Sequence, residues 1–180
     1  MQRLDAYRQD ADTLSVHGFT MRWPTPTLLL RYVAEGELTD HSRGPEGTMR
    51  HSQRRTLKAR LEQPVGPGRR RVGVERIAAV RAGPDSEISA SYLIGRDTRC
   101  DVLLNDYTIS AEHARMHHIP QIGRWMIEDL GSTNKTFVNG SELPPFERGL
   151  LTSLDEVQMG RMVFLYLEPR DLFEYLQGNF

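Results

Sequence analysis

From Arg76 to Leu167 the chain is a series of short apolar runs separated at near-regular intervals by turn residues. RIAAVRA (76–82) leads through the turn GPDS (83–86) into ISASYLIG (88–95). CDVLL (100–104) precedes the polar loop NDYTIS, and HARMHHI (113–119) alternates before Pro120–Gly123 turns it into RWMIEDL (124–130). TFVN (136–139), EVQMG (156–160) and MVFLYL (162–167) complete the set. Turn signals at this spacing predict an all-β sandwich or barrel of short antiparallel strands, not βαβ units. Upstream, PTPTLLLRYV (24–33) reads as a turn into one buried strand, with 28–33 packed on the sandwich and Asp12 or Thr13 capping a short helix ahead of it. At the other end, Leu172, Phe173 and Leu176 in PRDLFEYLQ (169–177) recur at helical spacing and predict a short C-terminal helix.

Between these parts, residues 41–71 are rich in Gly, Pro, Ser and Arg and nearly free of large apolar side chains, as in a linker or extruded loop. The chain therefore divides into an N-terminal extension (1–40), this basic segment (41–71), the β-rich domain (72–168) and a C-terminal helix and tail (169–180). Charge sharpens the division. The segment 41–71 carries nine basic and two acidic side chains, whereas 72–180 carries ten basic and sixteen acidic. The single cysteine, Cys100, excludes an internal disulfide framework and a multi-cysteine zinc site. The polar N-terminus lacks the apolar core of a secretory signal, and no apolar run is long enough to span a bilayer. The expectation is a cytoplasmic protein without membrane contact, cofactor or metal.

Enzyme signatures are weak. No glycine-rich nucleotide loop follows a strand. His117 and His118 are adjacent on a strand and face opposite sides. Ser110 and His113 lack both a G-x-S-x-G elbow and an identifiable third member. Three other segments combine better: Leu93-Ile94-Gly95-Arg96, Ile109-Ser110-x-x-His113-Ala114, and Asp129-Leu130-Gly131-Ser132-Thr133-Asn134. Each sets polar groups at a strand end, and the loops of a sandwich gather at its ends. An arginine, two hydroxyls and an amide together suit a tetrahedral dianion on a peptide.

The order GR, then S-x-x-H-A, then D-L-G-S-T-N-x-T-F-V-N-G, closing with L-x-x-x-D-x-V-x-x-G over Leu151 to Gly160, resembles the forkhead-associated (FHA) domain across roughly residues 72–168. The first forty residues are similar to the leading segments of bacterial stand-alone FHA proteins. The resemblance implies an eleven-stranded, SMAD/FHA-like β-sandwich that binds phosphothreonine in partner proteins. It implies that Arg96 pairs with the phosphate, that Ser110 and Thr133 add hydroxyls, and that Asn134 holds the ligand backbone. Gly95, His113, Asn139 and Gly140 correspond to framework residues, the glycine at 95 permitting a turn. Two positions depart from the pattern. Ala111 stands where many relatives have Asn or Arg in contact with the ligand, and Lys135 replaces the glycine of the S-T-N-G-T turn. Arg99, Ala111 and Lys135 are accessory ligand contacts at most.

The favoured role is a non-enzymatic phosphothreonine-binding adaptor in Ser/Thr kinase signalling, its partner a phosphorylated protein such as a kinase or its substrate. Two alternatives stay open: an assembly protein using residues 1–71 as its interaction arm, and nucleic-acid binding through 41–71. That stretch has no aromatic side chain for base stacking, which weighs against the second. Self-association through phosphorylated Thr25 or Thr27 is a further variant.

Overall fold

The computed structural model describes residues 2–34, 69–79 and 90–178. Two sheets pack face to face. The first comprises β1 (Gln2–Arg3), β2 (Thr27–Ala34), β3 (Arg69–Ala79), β8 (Thr136–Val138), β9 (Ser141–Glu142), β11 (Glu156–Met159) and β12 (Met162–Leu167), in the order β1-β3-β2-β12-β11-β8-β9. The second comprises β4 (Ser91–Gly95), β5 (Val102–Leu103), β6 (Ala114–Ile119), β7 (Arg124–Asp129) and β10 (Arg148–Leu151), in the order β10-β7-β6-β4-β5. Among the described residues these strands pair antiparallel throughout except β4 with β5. The described residues thus hold twelve strands rather than eleven, because the N-terminal segment contributes strands of its own. The helices among the described residues are α1 (Asp5–Thr13), α2 (Val16–Arg22) and α3 (Pro169–Gln177). None is long and apolar enough to cross a membrane.

Alternation builds the inner faces. Trp125 and Ile127 of β7, and Tyr92 and Ile94 of β4, point into the main core against Leu28, Leu30, Phe164 and Tyr166 of the opposite sheet. The strands β2 and β12 break the alternation, since every residue of β12 is buried. Leu29, Leu165 and Leu167 point the other way, into a second core formed with Leu4, Tyr7, Phe19 and Trp23 from the N-terminal segment and Leu172 from α3. A strand covered on both faces needs apolar residues at every position. The outer cover is therefore the reason MVFLYL is continuously apolar.

Several details differ from expectation. The segment ahead of β2 holds two helices, and Asp12 and Thr13 lie in the last turn of the first instead of capping it. Ser15 is the cap: its Oγ accepts from the Gly18 N–H at 3.2 Å, opening α2. Strands β9 and β10 escape the periodicity because they are short and largely exposed. Strand β3 begins at Arg69, inside the segment read as a linker, while the rest of that segment and the turn at 83–86 lie outside the described residues. Strand β2 runs between β3 and β12, with Thr27 opposite Leu167 and Val33 opposite Met162. Residues 2–34 are thus built into the sheet and the second core, which counts against a free interaction arm. Thr25 and Thr27 are buried as part of this packing, so neither hydroxyl is presented for phosphorylation in the folded chain.

Candidate anion-binding site

The end of β4, the start of β6 and the end of β7 lie in one row, with Ile94 opposite Ala114 and Ala114 opposite Asp129. From this row emerge the segment after Gly95, the loop 104–113 and the loop 130–135. Antiparallel pairing of neighbouring strands is what brings three stretches distant in sequence to one edge. Main-chain bonds lace them together: Arg96 N–H to the Ser110 carbonyl at 2.9 Å, Asp97 N–H to Ala111 at 3.0 Å, and Leu130 N–H to His113 at 3.0 Å. Gly95 serves this close approach rather than a turn. A Cβ there would sit 2.1 Å from the Ala111 carbonyl oxygen, inside any allowed contact.

Arg96, Ser110, Thr133 and Asn134 line one open cavity of about 260 Å³, together with Tyr107, Thr108, Ile109 and Ala111. A second cavity of similar size adjoins it over Arg96, Asp97, Thr98 and Ala111. The exposed Arg96 is steadied by a 3.2 Å bond from Nε to the Ile109 carbonyl, which leaves its terminal nitrogens for a ligand. Two aspartates along the loops, Asp97 and Asp106, are already taken. Both carboxylate oxygens of Asp97 accept from Arg99 at 3.0 Å, which holds Asp97 down at about 2. Asp106 is clamped by Arg161, whose Nη2 lies 2.7 Å from Oδ2. Among the described residues no carboxylate forms an ion pair with Arg96. Arg99 and Lys135 line neither cavity, whereas Ala111 lines both.

The hydroxyls and the amide are oriented as well. Ser110 Oγ accepts from the Thr133 N–H at 3.1 Å, so its own hydrogen is left to donate outward. Asn134 Nδ2 donates to the Thr108 carbonyl at 2.8 Å, which fixes the plane of the carboxamide and leaves its oxygen as an acceptor. Beneath the loop, the fully buried Asp129 accepts from the N–H groups of Gly131 and Ser132 at 2.9 Å, from Ser132 Oγ at 2.6 Å and from Thr136 Oγ1 at 2.7 Å. Burial pushes the Asp129 carboxyl up, but the Ser132 and Thr136 hydrogen bonds outweigh it and hold the group below the usual carboxylate range. Ser132 therefore belongs to the scaffold.

His113, fully buried, joins the two loops. Its Nδ1 accepts from the Ser110 N–H at 3.1 Å, so the proton sits on Nε2, which donates to the Lys135 carbonyl at 3.1 Å. Burial lowers its basicity, only partly countered by the Lys135 bond and by Asp129. A histidine bonded to the main chain of Ser110, not to its hydroxyl, is no general base for that serine. Lys135 adopts φ 59°, aiming its carbonyl at both His113 Nε2 and the Gly160 N–H. Asn139 and Gly140, at φ 52° and 83°, form the two-residue turn between β8 and β9.

Sequence reasoning missed Tyr107, Thr108 and Arg161. The signal available was Asp106-x-Thr108, a turn in which the aspartate accepts from the N–H two residues on, here at 2.9 Å. Nothing in the sequence ties Arg161 to that turn across 55 residues.

Residues 92–160 match the FHA domain family, and this span is an FHA domain. Among curated proteins, an oxoglutarate dehydrogenase inhibitor of Corynebacterium diphtheriae is 34% identical over 99 residues, covering 51% of this chain and 64% of that protein. The glycogen accumulation regulator GarA of Mycolicibacterium smegmatis is 38% identical over 73 residues, 39% of this chain and 43% of the relative. The oxoglutarate dehydrogenase inhibitor of Corynebacterium glutamicum is 28% identical over 145 residues, 71% and 96% respectively. The chain thus spans less than two thirds of the length of the first two relatives. A solved FHA domain from Chlamydia trachomatis aligns with a TM-score of 0.45 at 21% identity, over 80% of this chain and 98% of that one.

Proposed function

We propose that the chain is a phosphothreonine-reading regulator that acts by binding a phosphorylated partner in Ser/Thr kinase signalling, without catalysis of its own. The observation that carries this reading is Arg96, which opens on a cavity with Ser110, Thr133 and Asn134 while the aspartates beside it are neutralised by other arginines. In this reading the Arg96 guanidinium meets the phosphate through charge-assisted bonds and Ser110 donates its hydroxyl. Thr133 adds a second hydroxyl, and the Asn134 carboxamide grips the peptide main chain. The names of the relatives, an inhibitor of oxoglutarate dehydrogenase and a regulator of glycogen accumulation, support regulation of a metabolic enzyme by binding. Phosphothreonine is preferred over phosphoserine, as the family resemblance implies.

A phosphothreonine peptide library read with wild type and Arg96→Ala tests this. Loss of charge-assisted phosphate bonds of roughly 1.5–3 kcal/mol predicts a tenfold to hundredfold weaker interaction for the variant. Binding that ignores phosphorylation, or that survives the substitution undiminished, sinks the proposal.

A further inference from the structure

Tyr107 stands at the rim of the cavity that Arg96 and Ser110 line, and it is 72% exposed. It is nevertheless held in place. The Arg161 guanidinium carbon lies 4.4 Å from its ring centroid, and Nη1 donates to the Tyr107 hydroxyl at 3.3 Å. Arg161 is itself anchored, donating from Nε and Nη2 to the Asp106 carboxylate at 2.9 and 2.7 Å. Asp106 in turn accepts from the Thr108 N–H and hydroxyl, and Thr108 Oγ1 accepts from the Arg161 N–H at 3.1 Å. The turn between β11 and β12 presses on the same threonine: a Cβ on Gly160 would lie 2.6 Å from Thr108 Oγ1. A network crossing between the two sheets thus braces one exposed aromatic ring beside the candidate phosphate site.

We infer that Tyr107 is a specificity-determining residue: its open ring face receives an apolar or aromatic side chain flanking the phosphothreonine of the partner. This rests on the phosphothreonine reading above. The chemistry of the platform narrows the choice. Arg161 already has its charge matched by Asp106, so an acidic side chain finds no unpaired cation there. The guanidinium also occupies one face of the ring and draws on its electron density, which weakens its attraction for a lysine or arginine on the other face. What remains is a pre-ordered apolar surface, suited to stacking or van der Waals contact at little entropic cost.

The test is a peptide library with a fixed phosphothreonine and degenerate flanking positions, read with the full chain as wild type, Tyr107→Ala, Tyr107→Phe and Arg96→Ala. Wild type is expected to enrich apolar or aromatic residues at one flanking position. Tyr107→Ala loses that enrichment, with affinity for the selected peptide lower by roughly threefold to tenfold, yet still binds the phosphothreonine. Tyr107→Phe retains the selection. Because the side chain is exposed, unchanged thermal unfolding of Tyr107→Ala confirms that folding is intact. Unaltered selectivity in Tyr107→Ala, or enrichment of an acidic or basic residue at the position it controls, overturns this inference alone. Failure of wild type to distinguish phosphorylated from unphosphorylated peptides overturns the underlying reading, and this one with it.

Discussion

Asp129→Asn isolates what holds the loop of Thr133 and Asn134 in place. The wild-type carboxylate accepts two amide hydrogens on Oδ1 and two hydroxyl hydrogens on Oδ2. In the variant the carboxamide oxygen keeps the amides, while its NH₂ faces Ser132 and Thr136, whose hydroxyls must rotate to accept. Hydrogen bonds to a charged group contribute roughly 1.5–3 kcal/mol and neutral ones roughly 0.5–1.5, so the two hydroxyl bonds alone imply a loss of about 2–3 kcal/mol. Urea unfolding measures it directly. With a slope of about 2 kcal/mol/M for a chain of this size, the midpoint moves down by roughly 1–1.5 M. The pH dependence supplies an internal control. Because the folded carboxyl titrates below its ordinary value of 3.8, its stabilisation is complete above that pH and is lost as pH falls through the lower folded value. The gap between wild type and variant must therefore narrow in acid. An Asp129→Asn midpoint within about 0.3 M of wild type at pH 7 refutes the reasoning.

Gly95→Ala forces a methyl against the Ala111 carbonyl at 2.1 Å, and destabilisation of about 3 kcal/mol is expected in the same unfolding assay. Lys135→Gly removes a side chain from φ 59°; the chain should gain roughly 0.5–1 kcal/mol, and a decrease in thermal midpoint counts against strain there. His113 is depressed by burial, so folding holds it neutral where the unfolded chain, with an ordinary value of 6.5, takes up a proton. Its contribution to stability is therefore constant above that pH and declines as pH drops below it. Nitrogen-resolved NMR should find the neutral ring protonated on Nε2, with a titration midpoint below 6.5. A midpoint at or above that value contradicts the assignment.

The positions that carry local geometry could be read without coordinates. Asn139-Gly140 between two apolar runs specifies a tight turn by its tolerance of left-handed backbone. The alternation in ARMHHI and RWMIED marks a strand with one face buried. Leu4, Tyr7, Ala11 and Leu14 recur at helical spacing too, but that stripe becomes decisive only when a surface exists to cover. The outer faces of β2 and β12 provide it. Likewise Gly95 is legible as a special glycine, yet its reason, a carbonyl from the neighbouring loop, is not local at all.

Sequence alone determined the all-β class and the short C-terminal helix, which depend on near-neighbour pattern and turn chemistry, and carried the family resemblance that implied a sandwich and named Arg96, Ser110, Thr133 and Asn134. Tertiary structure decided the rest. It brought those four residues to one edge through the Ile94–Ala114–Asp129 row, and it assigned Asp97 and Asp106 to other arginines. It also drew Arg161 across the sandwich to brace Tyr107. Such facts depend on which charges lie within a few ångströms after folding, and distance between elements far apart in the chain is set by packing, not by spacing.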